Sequence, residues 1–150
     1  MTVGEYCNRE VVVVDGSESV AAAARLMREN HVGDLVIVEE SGDGRRLPTG
    51  IVTDRDLVVE VLAAGVDPSD LSVRDIVTET ACFVREDDSL FDALEVMRRH
   101  CVRRIPVVDA ERALAGIVTV DDVISLMAEM LDDLASLLER QRERETRLHP

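Results

Sequence analysis

Two stretches of the chain carry apolar residues at helical spacing in the same order. In each stretch they follow the steps i, i+3, i+4, i+7, which is typical of a helix with one buried face. The two sets are Val20, Ala23, Ala24 and Met27, and Leu90, Ala93, Leu94 and Met97. Ser19 and Ser89 precede them as predicted N-cap residues, and a constant offset of 70 relates the two sets. The pattern predicts equivalent amphipathic helices in a duplicated chain.

Short apolar runs follow each of these helices and predict buried strands. Leu35–Val38 matches Ile105–Val108 at the same offset, and a repeated heptad follows at Gly50–Asp56 and Gly116–Asp122. The offset falls to 66 in between, so a longer connecting loop is predicted at Glu39–Thr49. Each half is therefore predicted to run as short helix, strand, helix, strand, strand, helix.

This alternation of helices and strands predicts an α/β (α+β) fold. Neither half would bury much surface alone, so we expect two repeats packed face to face about a pseudo-twofold axis. The predicted domains are repeat one at 1–66, repeat two at 67–127 and a helical extension at 128–150. Gly65 and Pro68 mark the boundary between the repeats.

The last helix is predicted to continue past the second repeat, to about Arg147. It carries an apolar stripe at alternating three- and four-residue steps, formed by Leu126, Met127, Met130, Leu131, Leu134, Leu137 and Leu138. The stripe is too short for a long coiled coil. It packs either on the protein's own core or on a second subunit, and the second alternative predicts a homodimer.

Composition narrows the class of protein. The formal net charge of −14 would repel a polyphosphate backbone, so nucleic-acid binding is not expected. The chain lacks a signal-peptide pattern and an apolar run of about 18 residues, so no membrane segment is expected. Three cysteines without paired spacing do not make a disulfide framework, which favours a cytoplasmic location.

The repeated heptad places a hydroxyl and a carboxylate at the same position in each half, as Thr53 with Asp56 and Thr119 with Asp122. A carboxylate can accept both hydrogens of a cis-diol, and a threonine hydroxyl can donate to a phosphoryl oxygen. The alternative is that Thr53 with Asp54, and Thr119 with Asp121, only cap helices. Capping explains the doubled pair at fixed spacing less well, so ligand contact is the favoured interpretation.

The heptads, the segment Arg103–Asp109 and the paired halves together resemble the cystathionine β-synthase (CBS) domain family, over about residues 1–127. Two such domains in tandem form a Bateman module. The arrangement is similar to stand-alone bacterial proteins of the hypoxic-response type. The resemblance implies β-α-β-β-α repeats with two equivalent clefts between them. Such clefts often bind AMP, ADP, ATP or S-adenosylmethionine.

The resemblance also implies roles for particular residues. Asp56 and Asp122 would bind ribose hydroxyls, and Thr53 and Thr119 would contact phosphate. A basic residue before the second strand of a repeat often faces phosphates, and Arg104, with Arg103 beside it, holds that position. Repeat one has Asp34 there. We therefore expect the Thr119/Asp122/Arg104 cleft to be the better nucleotide site.

Each cleft is expected to include the segment that leads into the first strand of the other repeat. On that basis Asn8 and Val11 join Asp122, and Thr78 and Ala81 join Asp56. Ile105 and Pro106, which follow Arg104, complete the predicted ligand-binding set.

The sequence contains no enzyme signature, and it predicts a non-enzymatic regulatory module with no required cofactor and an unknown effector protein. Its predicted ligand is an adenosine-containing molecule. One rival is a metal- or thiol-dependent stress sensor, for which Cys101, His31 and His100 are weak candidates because no Cys-x-x-Cys or His-x-x-x-His spacing is present. Another rival is a dimerisation module with vestigial clefts.

Overall fold

Both halves of the chain fold into the same order of helices and strands. The computed structural model describes residues 1–77 and 81–150. Repeat one comprises α1 (Val3–Tyr6), β1 (Val13–Asp15), α2 (Val20–Asn30), β2 (Asp34–Glu40), β3 (Arg46–Thr53) and α3 (Asp54–Asp56), which continues as a π-helical segment at Leu57–Leu62. Repeat two comprises α4 (Val73–Ile76), β4 (Val84–Arg85), α5 (Leu90–His100), β5 (Arg104–Val108), β6 (Leu114–Thr119) and α6 (Val120–Leu148). The predicted order of elements and the α/β class are confirmed.

Each repeat forms a three-stranded sheet, in the orders β1-β2-β3 and β4-β5-β6. The first two strands of each sheet are parallel and the last two are antiparallel. The registers match, because Asp34 lies opposite Thr53 just as Arg104 lies opposite Thr119. The sheets therefore place the two hydroxyl–carboxylate pairs at equivalent strand ends.

The hairpin of repeat one differs from the sequence prediction. Strands β2 and β3 contain 7 and 8 residues, whereas β5 and β6 contain 5 and 6. The turns, at residues 41–45 and 109–113, are equally long. The predicted long loop at Glu39–Thr49 is therefore wrong, since Glu39 pairs with Leu47 and Glu40 with Arg46 in a longer ladder.

The opening helix of each repeat completes the core of the other repeat. Val3 of α1 is fully buried among core residues of repeat two, and Val73 of α4 is fully buried in the core of repeat one. The backbone repeats this exchange, because the Val3 amide donates to the Asp88 carbonyl at 2.8 Å and the Val73 amide donates to the Glu18 carbonyl at 2.9 Å. Each core therefore contains the first helix of the other sequence repeat. Because the exchange is reciprocal, the arrangement is pseudo-twofold.

Helices α2 and α5 begin and end alike. The Ser19 hydroxyl accepts from the Ala22 amide at 3.0 Å and the Ser89 hydroxyl from the Asp92 amide at 3.1 Å, so the predicted N-caps are confirmed. At the other ends, His31 and Cys101 adopt left-handed conformations with φ of 55° and 54°. Their equivalence in sequence thus reflects a shared helix-capping position.

Helix α6 leaves the body of the protein after its first two turns. Val123 is buried in the core of repeat two and Leu126 packs against that core, but every residue from Met127 to Pro150 is exposed. The predicted extension of the last helix is confirmed, and beyond Leu126 its stripe does not pack on the core. In the described residues, no helix is long and apolar enough to cross a membrane.

Candidate functional site

A cleft with a volume of about 900 Å³ lies between the two repeats. One wall comes from β3 and α3 of repeat one, and the opposite wall from the chain leading into β4, the end of α5 and the start of β5. The lining residues are Gly50, Ile51, Thr53, Asp54, Arg55, Asp56, Val77, Ala81, Cys82, His100, Cys101, Val102, Arg103, Arg104 and Pro106. Its volume falls within the range of roughly 300–1,000 Å³ that small-molecule sites occupy.

Thr53 and Asp56 form a reciprocal cap in the wall of this cleft. The Thr53 hydroxyl accepts from the Asp56 amide at 3.2 Å, and Asp56 Oδ2 accepts from the Thr53 amide at 2.8 Å. In the described part of the chain, Asp56 Oδ1 has no hydrogen-bond partner. Thr53 therefore does cap the helix, but its partner is Asp56 and not Asp54 as the capping alternative expected. The cap leaves one half-buried carboxylate oxygen of Asp56 available to a diol.

Three arginines line the same cleft. Arg104 forms an ion pair with Asp34, and their side chains are 33% and 24% exposed. Arg103 pairs with Asp121 at 3.2 Å in an exposed contact. Arg55 is exposed and has no ion-pair partner among the described residues. The cleft therefore combines two carboxylates, Asp54 and Asp56, with three arginines, which suits a ligand that carries both a diol and an anionic group.

The position of Arg104 corrects one prediction from the sequence. Arg104 and Asp34 are equivalent at the offset of 70 yet contact each other, so both lie near the pseudo-twofold axis. We expected these two residues to give the two clefts opposite charges, and their contact shows that they do not. Arg104 instead contributes to the cleft that contains Thr53 and Asp56.

The second hydroxyl–carboxylate pair has a different setting. The Thr119 hydroxyl accepts from the Asp122 amide at 3.1 Å and donates to Asp122 Oδ2 at 2.7 Å. Neither residue lines the 900 Å³ cleft, and Asp122 is exposed. This pair makes the same cap at the start of α6, outside the 900 Å³ cleft.

The segment that leads into β1 packs tightly on β6 beside this second pair. Asn8 and Ile117 exchange backbone hydrogen bonds of 2.8 and 2.9 Å. A Cβ atom added to Gly116 would lie 2.7 Å from Cys7 Sγ, whereas one added to Gly50 would lie 3.5 Å from Val77 Cγ1. The chain thus lies closer to β6 than the equivalent chain lies to β3.

The other predicted ligand residues fall into four groups. Ala81 and Pro106 line the cleft. Asn8 bonds to β6, and Val11 packs where the two sheets meet, so neither borders this cavity. The prediction for Ile105 is wrong, because its side chain is fully buried in the core of repeat two. Alternation along β5 turns Arg104 and Pro106 towards the cleft and Ile105 away from it. Thr78 lies outside the described residues.

Sequence reasoning missed Arg55 and Val77. Arg55 occupies the position that Asp121 holds in the second heptad. The change from a basic to an acidic residue at this variable position was the signal in the sequence that the two sites differ. Val77 is the counterpart of Cys7 at the offset of 70, and it packs on Gly50 in the cleft wall.

His100 and Cys101 line the cleft, whereas His31 does not. Within residues 1–77 and 81–150, no group of three or more His, Cys, Asp or Glu residues could hold a metal ion. Burial raises the pKa of the Cys7 thiol, which nearby Arg9 partly opposes.

Comparison with known proteins identifies relatives of the whole two-repeat region. The CBS domain family matches residues 3–63 and 73–129. An uncharacterised protein of Methanopyrus kandleri is 36% identical over 126 residues, which cover 84% of this chain but only 62% of that protein. Hypoxic response protein 1 of Mycobacterium tuberculosis is 38% identical over 128 residues, covering 85% of this chain and 86% of that protein.

Solved structures of similar fold include two with at least 25% sequence identity to this chain. A crystal structure of Hypoxic Response Protein I with two coordinated zinc ions is 36% identical, with a TM-score of 0.71, and the match covers 83% of this chain and 98% of that one. A CBS domain protein from Pyrobaculum aerophilum complexed with AMP is 25% identical, with a TM-score of 0.70, covering 81% and 89% of the two chains.

Proposed function

The chain belongs to the CBS domain family, and from this premise we propose that it is a non-enzymatic regulatory module that binds an adenosine-containing ligand. AMP, ADP, ATP and S-adenosylmethionine are the members of this ligand class to be tested. The Pyrobaculum aerophilum protein in complex with AMP supports the class. The observation that carries the proposal is the inter-repeat cleft, which brings Asp56 together with three arginines.

In the proposed complex, Asp56 accepts the ribose hydroxyls through its unpaired oxygen. Arg55, Arg103 and Arg104 attract the phosphate or another anionic group. Thr53 contacts the ligand with its hydroxyl proton, because its oxygen already accepts from the Asp56 amide. Asn8, Val11, Thr119 and Asp122 form a second, weaker position on the other side of the axis.

The proposed mechanism is a shift in conformational population. The cleft walls come from both repeats, so a bound ligand would hold the repeats in one relative position. A partner protein that recognises this position would then bind with a different affinity. We propose that the module works as a homodimer in the cytoplasm. Residues 1–66 and 67–127 would form its regulatory body, and residues 128–150 a separate extension.

Isothermal titration calorimetry with AMP and ATP tests the proposal. We expect Asp56→Asn to weaken binding about 10- to 100-fold, because one charged hydrogen-bonding group contributes roughly 1.5–3 kcal/mol. Asp122→Asn is the matched control, since the same carboxylate is removed from the same capping arrangement outside the cavity. Equal losses in both variants would contradict the assignment to this cleft.

A metal- or thiol-dependent sensor is the second candidate function. His100 and Cys101 line the cleft, and Hypoxic Response Protein I has been solved with zinc. Thermal shift measurements with adenosine compounds and with zinc distinguish the two, because a ligand stabilises by RT ln(1 + [L]/Kd). Stabilisation by zinc alone would favour the sensor. Stabilisation by neither would favour a dimerisation module with vestigial clefts.

A further inference from the structure

Helix α6 presents an apolar face that is exposed to solvent along most of its length. Leu131 is 65% exposed and Leu134 is 56% exposed, and Ile124, Met127 and Leu138 are similarly accessible. Helices without tertiary packing are marginal in water, since most helical stability in proteins comes from burying an amphipathic face. A continuous exposed apolar surface of this kind marks an interaction site.

The spacing of this face fits a narrow seam between two helices. Ile124, Met127, Leu131, Leu134 and Leu138 follow one another at steps of 3, 4, 3 and 4 residues. This is the heptad pattern in which helices interlock side chains along a shared stripe. The next positions of the pattern are Gln141 and Glu145, so the seam ends where the polar sequence begins.

The charges along α6 are distributed unequally between its two halves. Residues 120–133 contain five acidic and no basic side chains, whereas residues 134–148 contain four arginines and three glutamates. Two parallel copies would place the acidic halves side by side. Two antiparallel copies would place each acidic half beside the arginine-containing half of the other copy, which is the electrostatically favoured orientation.

We propose that α6 pairs antiparallel with α6 of a second copy of this chain, with Leu131 of one copy packed against Leu134 of the other. This inference deepens the homodimer of the proposed function by assigning its contact to the extension. The contact is isologous, since each residue pair occurs twice about a twofold axis.

The register has further consequences along the helix. Met127 meets Leu138 of the second copy, and Ala128 meets Ala135, where the small side chains allow close approach. Asp121, whose exposed pair with Arg103 is weak, comes beside Arg142 of the second copy. In a parallel pair, neither Ala128 with Ala135 nor Asp121 with Arg142 would meet.

Sedimentation velocity of the full chain tests the contact. We expect the unmodified chain to be a dimer at micromolar concentration, and the double variant Leu131→Glu, Leu134→Glu to be a monomer. The matched control is Ser125→Glu, Ser136→Glu, which adds the same charge to the same helix away from the stripe and should remain dimeric. Far-UV circular dichroism and AMP titration verify that the variant bodies remain folded.

The outcomes separate this inference from the proposed function. A monomeric unmodified chain would overturn both the homodimer and the helix pairing. A dimer that survives the Leu→Glu changes would overturn the pairing, because another surface would then hold the copies together. Ligand binding is measured separately, so its loss would count against the regulatory cleft alone.

Crosslinking tests the orientation. In a Cys101→Ser background, chains with Ala128→Cys are mixed with chains carrying Ala135→Cys and oxidised. An antiparallel pair predicts a disulfide-linked heterodimer in the mixture and little linked product from either chain alone. Linked product from each chain alone, with no excess in the mixture, would overturn the antiparallel register.

Discussion

At the scale of single residues, Asp56 and Asp122 show that equal local chemistry can have unequal surroundings. Each carboxylate accepts from a threonine amide three residues earlier, and each threonine hydroxyl accepts in return. Asp56 lines the 900 Å³ cleft between the repeats, whereas Asp122 does not. The heptad therefore encodes the cap, and the surrounding chain determines whether the cap borders a binding cavity.

The Asp34–Arg104 ion pair predicts that removing the charge of Asp34 strengthens ligand binding. In the proposed complex, Asp34 would compete with an anionic ligand for Arg104, with which it forms an ion pair. We expect Asp34→Asn to strengthen ATP binding about fivefold, since releasing a partly exposed charge pair contributes on the order of 1 kcal/mol. Calorimetry measures this, with Asp43→Asn as the control because Asp43 pairs with Arg45 outside the cleft. Weaker binding in Asp34→Asn would contradict the competition.

The cysteines predict an order of chemical reactivity. Burial raises the pKa of the Cys7 thiol, so less of the reactive thiolate is present at a given pH. Cys101 is exposed. In timed alkylation with iodoacetamide followed by peptide mass spectrometry, we expect Cys101 to be labelled first and Cys7 labelling to accelerate as pH rises. Both should react alike in denaturant, and faster labelling of Cys7 in the native protein would contradict the structure.

At the scale of elements, the structure explains which predictions succeeded. Helices α2 and α5 carried full apolar faces with serine caps, so their positions followed from local sequence. Ladder pairs such as Glu39 with Leu47 lack an apolar signal, so the longer hairpin was mistaken for a loop. The burial of Ile105 and the contact between Asp34 and Arg104 depend on how distant segments meet, which no local pattern records.

Two equivalent glycines predict unequal stability effects. An alanine Cβ at Gly116 would crowd Cys7 Sγ at 2.7 Å and the Asn8 carbonyl oxygen at 2.8 Å, whereas at Gly50 it would make ordinary contacts at 3.5 Å. We expect Gly116→Ala to lower the free energy of unfolding by about 1–3 kcal/mol and Gly50→Ala to change it little. Urea denaturation measures both. Similar losses would show that the segment at Cys7 and Asn8 is not tightly packed.

At the scale of the whole molecule, each repeat depends on the other. Val3 and Val73 are exchanged between the cores, and the joining cluster of Val36, Val38 and Ile117 lies between the sheets. Neither sequence half therefore contains a complete core, and unfolding of one repeat exposes apolar surface of the other. Under the proposed function, this mutual dependence would allow a ligand in the shared cleft to influence both halves.

The formal net charge of −14 predicts that salt stabilises the fold. Dissolved ions screen the repulsion between exposed acidic groups, while the surface ion pairs they also weaken contribute little. Between about 0.02 M and 0.5 M NaCl we expect the melting temperature to rise by roughly 2–4 °C, equivalent to about 1 kcal/mol. Differential scanning calorimetry measures the shift, with KCl as a control for ion identity. A falling melting temperature would mean that attractive surface pairs dominate.

The longer hairpin of repeat one has a consequence for how this chain tolerates insertions. Strands β2 and β3 each exceed their counterparts by an even number of residues, and the added pairs lie beyond the shared register. Side chains alternate between faces along a strand, so an even increment preserves the parity of every inward-facing position. An odd insertion within the shared register of one strand would instead turn the residues beyond it to the opposite faces of the sheet and expose its buried valines. The two repeats therefore differ in hairpin length without any change in which side chains face the core.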